Sequence, residues 1–317
     1  MPTALHHRHL LGIAGLTRAS LRDILDRAHA HADDIASGSV EPTLTGRFIS
    51  TLFLEDSTRT RISFETAATR LGASLIRFDA RTSSLSKGET LLDTAQTLIA
   101  GGAECLILRH ASSGAVAHLA HALDASGHRA AIVNAGDGMH EHPTQALLDV
   151  YTLERRLGSV EGRLVAIVGD VLRSRVARSL THAVQTLGGR VHHVGPRAFV
   201  REGTGAPVFH DPLEGTRGAD AVCFLRIQHE RVGSGGGSGR STYLPVSAYR
   251  RLYSDAVEGL IPEGAIVMHP GPVNRGVELG IETLNDPRCV VLDQVSAGVP
   301  IRMAVLERAL LEGRGNA

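Results

Sequence analysis

The sequence has little of several residue types, and each scarcity excludes a class of protein. Among 317 residues there is no tryptophan, aromatic residues make up 3%, and there are three cysteines, Cys105, Cys223 and Cys289. Cysteines so far apart offer neither a disulfide framework nor a paired-cysteine zinc site, and they predict reduced thiols in a cytoplasmic protein. Charges or glycines interrupt every apolar run, so no membrane span of about 18 residues is expected. The first ten residues also lack the pattern of a secretory signal.

The charges balance in number, but lysine is nearly missing. There are 33 Lys and Arg against 33 Asp and Glu, and Lys87 is the single lysine. A net charge of zero argues against a nucleic-acid-binding protein, which usually carries a basic stripe. A composition biased toward arginine leaves the one lysine unexplained, so Lys87 is either a chance surface residue or a functional one.

Apolar runs alternate with helical patterns along most of the chain. The runs typical of buried strands are Phe48–Leu54, Ser74–Phe78, Cys105–Leu108, Ala130–Val133, Leu164–Val168, Arg190–Val194, Ala221–Leu225 and Ala265–Met268. Helical patterns lie near 18–28, with Thr17 as a candidate cap, and near 58–71, 89–100, 113–125, 143–157, 174–187 and 297–312. The alternation predicts an α/β protein of two domains, each a mainly parallel sheet flanked by helices. We expect domains of 1–142, completed by a C-terminal helix 298–317, and 143–297, joined by bridging helices.

A polar segment follows the first predicted strand. Residues 57–61, Ser-Thr-Arg-Thr-Arg, open a helix, and a helix N-terminus offers unpaired N–H groups and a positive dipole end. Hydroxyls and guanidinium groups add further donors, so the segment suits a phosphate. The plain alternative is that Ser57 caps the helix and the arginines lie in solvent.

Two further segments have side chains suited to catalysis. Residues 83–89 form a small polar loop around Lys87, whose compact ammonium can contact two anionic groups, and we expect Glu89 to start the next helix. In residues 136–145, Pro143 suits the first helical turn, and His142 and Gln145 could polarise a carbonyl and bind an amide. The pair His140 and His142 also invites a metal interpretation, although no second cluster of ligands accompanies it.

The remaining polar segments also end predicted strands. They are Gly169–Arg175, Leu225–Gln228 and His269–Pro272. Ligands of open α/β sheets lie beyond the carboxyl ends of the strands, so these segments could converge on one cleft. These segments contain cations, hydroxyls and amides, but neither a Ser/His/Asp set nor a pair of acidic residues. This combination predicts anionic substrates and a reaction driven by positioning and charge stabilisation.

Taken together, these segments resemble the catalytic chains of the aspartate/ornithine carbamoyltransferase family, and they are more similar to the members that use aspartate than to those that use ornithine. The resemblance runs from His9 to the last helix, and the stretches that carry it are STRTRISFE at 57–65, SSLSKGE at 83–89, HPTQALLD at 142–149, LRIQHER at 225–231 and HPGPVNRGVE at 269–278. It implies transfer of the carbamoyl group of carbamoyl phosphate to the α-amine of L-aspartate, a step of pyrimidine synthesis. Neither a cofactor nor a covalent enzyme intermediate is implied.

The resemblance also assigns roles residue by residue. Ser57, Thr58, Arg59 and Thr60 would hold the phosphate, and Thr60, Arg109 and His142 would donate to the carbamoyl oxygen. Gln145 and the backbone carbonyls of Pro270 and Gly271 would orient the carbamoyl NH2, and Arg175, Arg226 and Gln228 would bind the carboxylates of aspartate. Ser84 and Lys87 would reach the site of a neighbouring subunit, which implies a homotrimer with shared sites. Arg59, Thr60, Lys87, Arg109 and His142 are therefore the expected catalytic residues.

One segment departs from the family and leaves alternatives open. Residues 233–239 read GSGGGSG where the family has a loop that closes over aspartate. The segment is either a surface loop or a mobile element near the site. The alternatives are a related carbamoyltransferase for another amine, a non-catalytic assembly scaffold, and a metal-dependent amidohydrolase built on His140 and His142. A regulatory chain or a dihydroorotase as further partner also stays open.

Overall fold

The chain folds into two compact units, each with its own parallel sheet. A computed structural model describes residues 8–79, 88–227 and 245–311. One unit comprises Met1–Leu148 with Val295–Ala317, and the other comprises Asp149–Gln294. The predicted α/β fold with two parallel sheets is confirmed. The proposed domain boundaries at 142/143 and 297/298 stay a prediction.

The first unit has a four-stranded sheet in the order β2-β1-β3-β4. Its strands are β1 (Phe48–Phe53), β2 (Ser74–Arg77), β3 (Cys105–His110) and β4 (Ala131–Asp137), and all pairs are parallel. Its helices are α1 (Arg18–Ser37), α2 (Thr58–Arg70), α3 (Leu91–Ala100) and α4 (Ala115–Ala125), and α5 (Pro143–Leu157) begins in it. Strand β4 extends beyond the predicted end at Val133, because its pairing with β3 continues to Asp137. The polar side chains of this extension are bonded to each other, with Asn134 Nδ2 donating to Asp137 Oδ1 at 2.9 Å.

Side-chain caps set where two helices of this unit begin. The Thr17 side chain accepts from the Ser20 N–H at 3.1 Å, which confirms the predicted cap of α1. The predicted start of α3 at Glu89 is wrong. The helix begins at Leu91, because Thr90 and Asp93 form a reciprocal capping box.

The second unit has a five-stranded sheet in the order β7-β6-β5-β8-β9. Its strands are β5 (Leu164–Val168), β6 (Arg190–Val194), β7 (Val208–Phe209), β8 (Ala221–Phe224) and β9 (Ile266–Met268). Its helices are α6 (Arg175–Thr186), α7 (Pro212–Thr216), α8 (Val246–Tyr253) and α9 (Ile281–Leu284), followed by α10 (Val291–Leu311), which continues into the first unit. In the described ranges, no helix has the length and apolar character needed to cross a membrane.

A fully buried histidine lies in β6. His193 Nε2 lies 2.8 Å from Thr181 Oγ1 and Nδ1 lies 2.8 Å from Thr204 Oγ1. Burial, helped by the neighbouring His192, lowers the pKa of His193 from 6.5 to about 4. The native state therefore holds this imidazole neutral at pH values where the unfolded chain binds a proton.

That difference in pKa predicts acid sensitivity of the second unit. Because the unfolded chain binds more protons between pH 6.5 and pH 4, the free energy of unfolding should fall by about 3 kcal/mol as the pH is lowered through this range. His193→Gln should remove this part of the pH dependence, as measured by urea unfolding at pH 7 and pH 4. Equal pH slopes for the two proteins would show that His193 does not titrate as described.

Candidate active site

Each sheet has one pair of adjacent strands where the strand order reverses, and the polar segments follow those strands. In the first unit the reversal lies between β1 and β3. Ser57 follows β1, and Arg109 is the last but one residue of β3. In the second it lies between β5 and β8, which are followed by Arg175 and Arg226. Such reversal points are where open α/β sheets bind ligands, beyond the carboxyl ends of the strands.

The N-terminus of α2 has a serine at the N-cap position that does not cap the helix through its side chain. Ser57 occupies the N-cap position with φ −161° and ψ 104°, but its side chain makes no capping hydrogen bond. At the other Ser and Thr N-caps of the described chain, Thr17, Thr90 and Ser174, the side chain accepts from a backbone N–H of the first turn. Ser57 therefore stands at the N-cap without a side-chain cap, Arg59 and Arg61 are exposed, and the phosphate-binding role of this turn stays a prediction. The first N–H groups of α2 remain positioned for an anion, beside exposed Thr58 and Arg59 and buried Thr60.

Arg109 is a buried cation held from both sides of β3, by β4 and by the segment after β1. Its side chain is 10% exposed, Nη1 donates to the Ala135 carbonyl at 3.0 Å, and Nη2 lies 3.4 Å from Glu55 Oε1. The Arg109 carbonyl in turn accepts from the Leu54 N–H at 2.9 Å, close to the start of α2. A guanidinium fixed in this way keeps a positive charge at the carboxyl edge of the sheet with little freedom to turn away.

The segment between β4 and α5 positions His142 through two buried carboxylates. Asp137 Oδ1 accepts from the Glu141 N–H at 3.1 Å, while the Glu141 carbonyl accepts from the Asp137 N–H at 3.1 Å. Glu141 Oε2 and Oε1 accept from the Ile13 and Ala14 N–H groups at 2.9 and 3.1 Å. His142 and Gln145, which follow directly, are buried. The loop is therefore held by hydrogen bonds between its two ends, Asp137 and Glu141, and by hydrogen bonds from the N-terminal segment to Glu141.

His140, the first residue of the HxH pair, belongs to the same loop network. Its Nδ1 lies 3.1 Å from Asp137 Oδ2, which also accepts from the Gly114 N–H at 2.7 Å. Among the residues described by the structure, no three side chains of His, Cys, Asp and Glu are grouped as a metal ion requires.

Gly12 gives a test of how tightly Glu141 is held. A Cβ at position 12 would lie 2.7 Å from Glu141 Oε1 and 3.0 Å from its Cδ. Since that carboxylate is fixed by two N–H groups, Gly12→Ala should lower the free energy of unfolding by about 1–3 kcal/mol and also lower kcat, because His142 follows Glu141. Urea unfolding and steady-state kinetics measure the two effects.

The matched control is Gly101→Ala, at the end of α3. There the nearest atoms to a new Cβ are backbone oxygens at 3.4 Å, and φ is −75°. This variant should stay within about 0.5 kcal/mol of the wild type. A Gly12→Ala protein as stable and active as the control would contradict the tight packing of Glu141.

In the second unit, the ends of β5 and β8 are packed closely together. Gly169, at φ 129°, leaves no room for a side chain, since a Cβ would lie 3.1 Å from Leu225 Cβ. Ser174 caps α6 through the Ala177 N–H at 3.1 Å, and Arg175 is the first helical residue and is buried. Arg226 follows β8 and is half-buried. The two predicted carboxylate-binding arginines thus follow adjacent strands.

The segment after β9 is fixed by hydrogen bonds at both ends. The His269 N–H donates to Gln294 Oε1 at 3.0 Å, and Gln294 Nε2 donates to buried Asp149 at 2.7 Å. His269 Nδ1 accepts from the Gly271 N–H at 2.8 Å, closing a short turn around Pro270. These bonds hold the backbone whose carbonyls were predicted to orient the carbamoyl NH2.

Some predicted residues lie outside the described part of the chain. They are Ser84, Lys87, Gln228 and the glycine-rich segment 233–239.

Comparison with protein families identifies the chain. A family profile described as the aspartate/ornithine carbamoyltransferase carbamoyl-P binding domain matches residues 8–155, and one described as the Asp/Orn binding domain of the same family matches residues 161–309. The chain belongs to the aspartate/ornithine carbamoyltransferase family. The resemblance found in the sequence is thereby confirmed.

Curated relatives and solved structures agree with this family. The aspartate carbamoyltransferase catalytic subunit of Rhodospirillum rubrum is 48% identical over 309 residues, covering 95% of this chain and 93% of the relative. That of Acidothermus cellulolyticus is 49% identical over 308 residues, covering 94% and 91%. The Trypanosoma cruzi aspartate transcarbamoylase in complex with carbamoyl phosphate and aspartate is 31% identical, with a TM-score of 0.81 and coverage of 96% and 97%.

Sequence reasoning missed several acidic residues of this carbamoyltransferase, of which all but the partly buried Glu55 are buried. Glu55, Asp137, Glu141 and Glu278 all lie beside predicted site residues and receive hydrogen bonds or ion pairs from them or from their neighbours. Each stands inside or next to a motif that was recognised for its cations, hydroxyls and histidine. An acidic residue within an otherwise cationic motif is the signal that could have singled them out.

Proposed function

We propose that this chain transfers the carbamoyl group of carbamoyl phosphate to the α-amine of L-aspartate, giving N-carbamoyl-L-aspartate and phosphate. The observation that carries the proposal is Arg109, a buried guanidinium fixed by Ala135 and Glu55 beside the open N-terminus of α2. That arrangement suits a small substrate with a phosphate next to a carbonyl. The extensive identity to aspartate carbamoyltransferases supports aspartate as acceptor.

The phosphate half of the reaction follows from the first unit. The N-terminal turn of α2, with Ser57, Thr58, Arg59 and Thr60, holds the phosphate through N–H groups, hydroxyls and a guanidinium. Thr60, Arg109 and His142 donate to the carbamoyl oxygen, and their fixed positions stabilise the negative charge that develops there. Gln145 and the carbonyls of Pro270 and Gly271 orient the carbamoyl NH2.

The acceptor half uses the arginines of the second unit. Arg175, Arg226 and Gln228 bind the two carboxylates of aspartate, which leaves its uncharged α-amine to attack the carbamoyl carbon. A C–N bond forms, the bond from carbon to the phosphate oxygen breaks, and the leaving phosphate takes the proton from the amine. Atoms and charges balance without a covalent enzyme intermediate or a cofactor.

The proposal includes a homotrimer with shared sites. Ser84 and Lys87 of one subunit complete the site of its neighbour, where the ammonium of Lys87 contacts both the phosphate and a carboxylate. A flexible point charge suits two such contacts better than a planar guanidinium. This role accounts for one lysine in a chain whose other cations are arginine.

A phosphate-release assay with carbamoyl phosphate and a panel of amines tests the proposal. Release should depend on aspartate and exceed that with ornithine, glutamate or no amine. Release with another amine alone would favour the related carbamoyltransferase for a different acceptor. No stimulation by any amine would favour the non-catalytic scaffold.

A further inference from the structure

Glu278 is a buried carboxylate that joins the segments following β8 and β9. Its side chain is fully buried, Oε1 accepts from the Ile227 N–H at 2.9 Å, and Oε2 accepts from the Asn274 N–H at 2.8 Å. Asn274 Nδ2 donates to Glu278 Oε1 at 2.8 Å and also lies 3.3 Å from the Ile227 carbonyl oxygen. Glu278 and Asn274 together therefore hold both backbone polar groups of Ile227.

The peptide groups held in this way flank a single core residue. The Ile227 side chain is buried in the core of the second unit, so the residue is anchored through its side chain and its backbone at once. Its N–H belongs to the peptide that follows Arg226, and its carbonyl belongs to the peptide that precedes Gln228. These two neighbours are the residues proposed above to bind the carboxylates of aspartate.

Glu278 also lies near the segment that carries Pro270 and Gly271. Since His269 Nδ1 accepts from the Gly271 N–H, a neutral His269 has its proton on Nε2, which faces Glu278 Oε2 at 3.8 Å. One carboxylate thus lies against both loops that the reaction uses in this unit. Burial raises the pKa of Glu278, and the hydrogen bonds from Ile227 and Asn274 oppose that rise.

We propose that Glu278, with Asn274, is a positioning residue for the acceptor substrate, because it fixes the peptide that follows Arg226. The inference rests on the proposed function and extends it to a residue that contacts no substrate. A carboxylate is required at this position, because every group that faces it is a donor. The amide of a glutamine would place its NH2 against the N–H of Ile227 or of Asn274.

Glu278→Gln tests the proposal by its effect on one substrate alone. The KM for aspartate should rise by about tenfold or more, since small displacements of binding groups have large kinetic effects. The kcat at saturating aspartate should change much less, and the Kd for carbamoyl phosphate, measured by calorimetry, should stay at the wild-type value. Asn274→Ala, which keeps the carboxylate, should raise the KM for aspartate in the same direction by a smaller factor.

Asp255→Asn is the matched control. Asp255 is also a carboxylate that holds this segment, since Oδ2 accepts from the Gly280 N–H at 2.5 Å. Its contact lies two residues beyond Glu278 and does not reach Ile227. This variant should keep the wild-type KM for aspartate whatever its effect on the thermal midpoint, which separates a loss of stability from a loss of substrate positioning.

Two outcomes would overturn the inference. One is a KM for aspartate near the wild-type value in both Glu278→Gln and Asn274→Ala, and the other is a loss shared equally by both substrates. If Glu278→Gln does not fold, Asn274→Ala decides alone. A wild-type protein that does not use aspartate contradicts the proposed function, and the same comparison is then made with the amine that it does use.

Discussion

Arg109→Gln is expected to lower kcat by about 10²–10³-fold, the cost of removing one fixed donor to a developing oxyanion. The guanidinium is buried and fixed by the Ala135 carbonyl and Glu55, so its charge stays at the carboxyl edge of the first sheet. A neutral amide lacks that charge, and the effect of a charge is stronger in a buried position than in water. Stopped-time phosphate release with saturating carbamoyl phosphate and aspartate measures the effect.

The control for Arg109 lies at the opposite ends of the same two strands. Arg47 precedes β1 and its Nη1 lies 2.6 Å from Oε1 of Glu104, which precedes β3. Arg47→Gln therefore removes an arginine–glutamate pair from the amino edge of the sheet, away from the proposed site. It should leave kcat within about threefold of the wild type, a change that corresponds to less than about 1 kcal/mol, because the pair lies at the edge of the sheet opposite the proposed site. Equal losses in the two variants would mean that Arg109 acts through stability only.

A mixture of two inactive variants is expected to regain activity if sites are shared between subunits. In Lys87→Ala the missing group belongs to the neighbour's site, while in His142→Ala it belongs to the chain's own site. Each homotrimer should be nearly inactive. In trimers reassembled from equal amounts, about a quarter of the sites combine an intact His142 with an intact neighbouring Lys87, since each choice has a probability of about one half.

The recovered activity should therefore approach a quarter of the wild-type value. Native mass spectrometry of one mass-labelled variant verifies that the chains have exchanged. Exchanged trimers whose activity does not exceed the sum of the two variants would contradict shared sites.

The sequence predicted the fold well where strands are apolar and regular. The bounds of β5 and β6 are those predicted, and the polar segments after β5, β8 and β9 follow these strands as expected. Elements of two to eight residues, β7, α7, α8 and α9, were missed because a pattern so short has no measurable period.

One difference arises from packing that overrides local preference. Helix α10 begins at Val291, ahead of the predicted start near 297, although Gly298 and Pro300 would be expected to interrupt it. Gly298 is required there, because its carbonyl accepts from Arg302 Nη1 and a Cβ would collide with that guanidinium, which lies over the Phe64 ring. Such a reason is visible only in the folded chain.

Among the proposed site residues, His142 was singled out from a recognisable motif, whereas Arg109 was assigned by the resemblance to the family alone. The structure gives both a buried position near the carboxyl edge of the first sheet. The acidic residues that hold the neighbouring segments were not singled out. Glu141 receives hydrogen bonds from residues 127 and 128 positions away, and Glu278 receives one from a residue 51 positions away. Contacts between such distant segments leave no periodic signal in the sequence.

The most direct test of the account follows the carbamoyl carbon itself. The wild-type protein is incubated with ¹³C-labelled carbamoyl phosphate and ¹⁵N-labelled L-aspartate, and the product is observed by NMR, with Arg109→Gln as the blank. The account predicts a carbamoyl carbon with one-bond coupling to ¹⁵N, formed in step with phosphate. Two results would contradict it. One is phosphate release in which the ¹³C-labelled carbon shows no coupling to ¹⁵N, and the other is a coupling that is absent with labelled aspartate and present with another labelled amine.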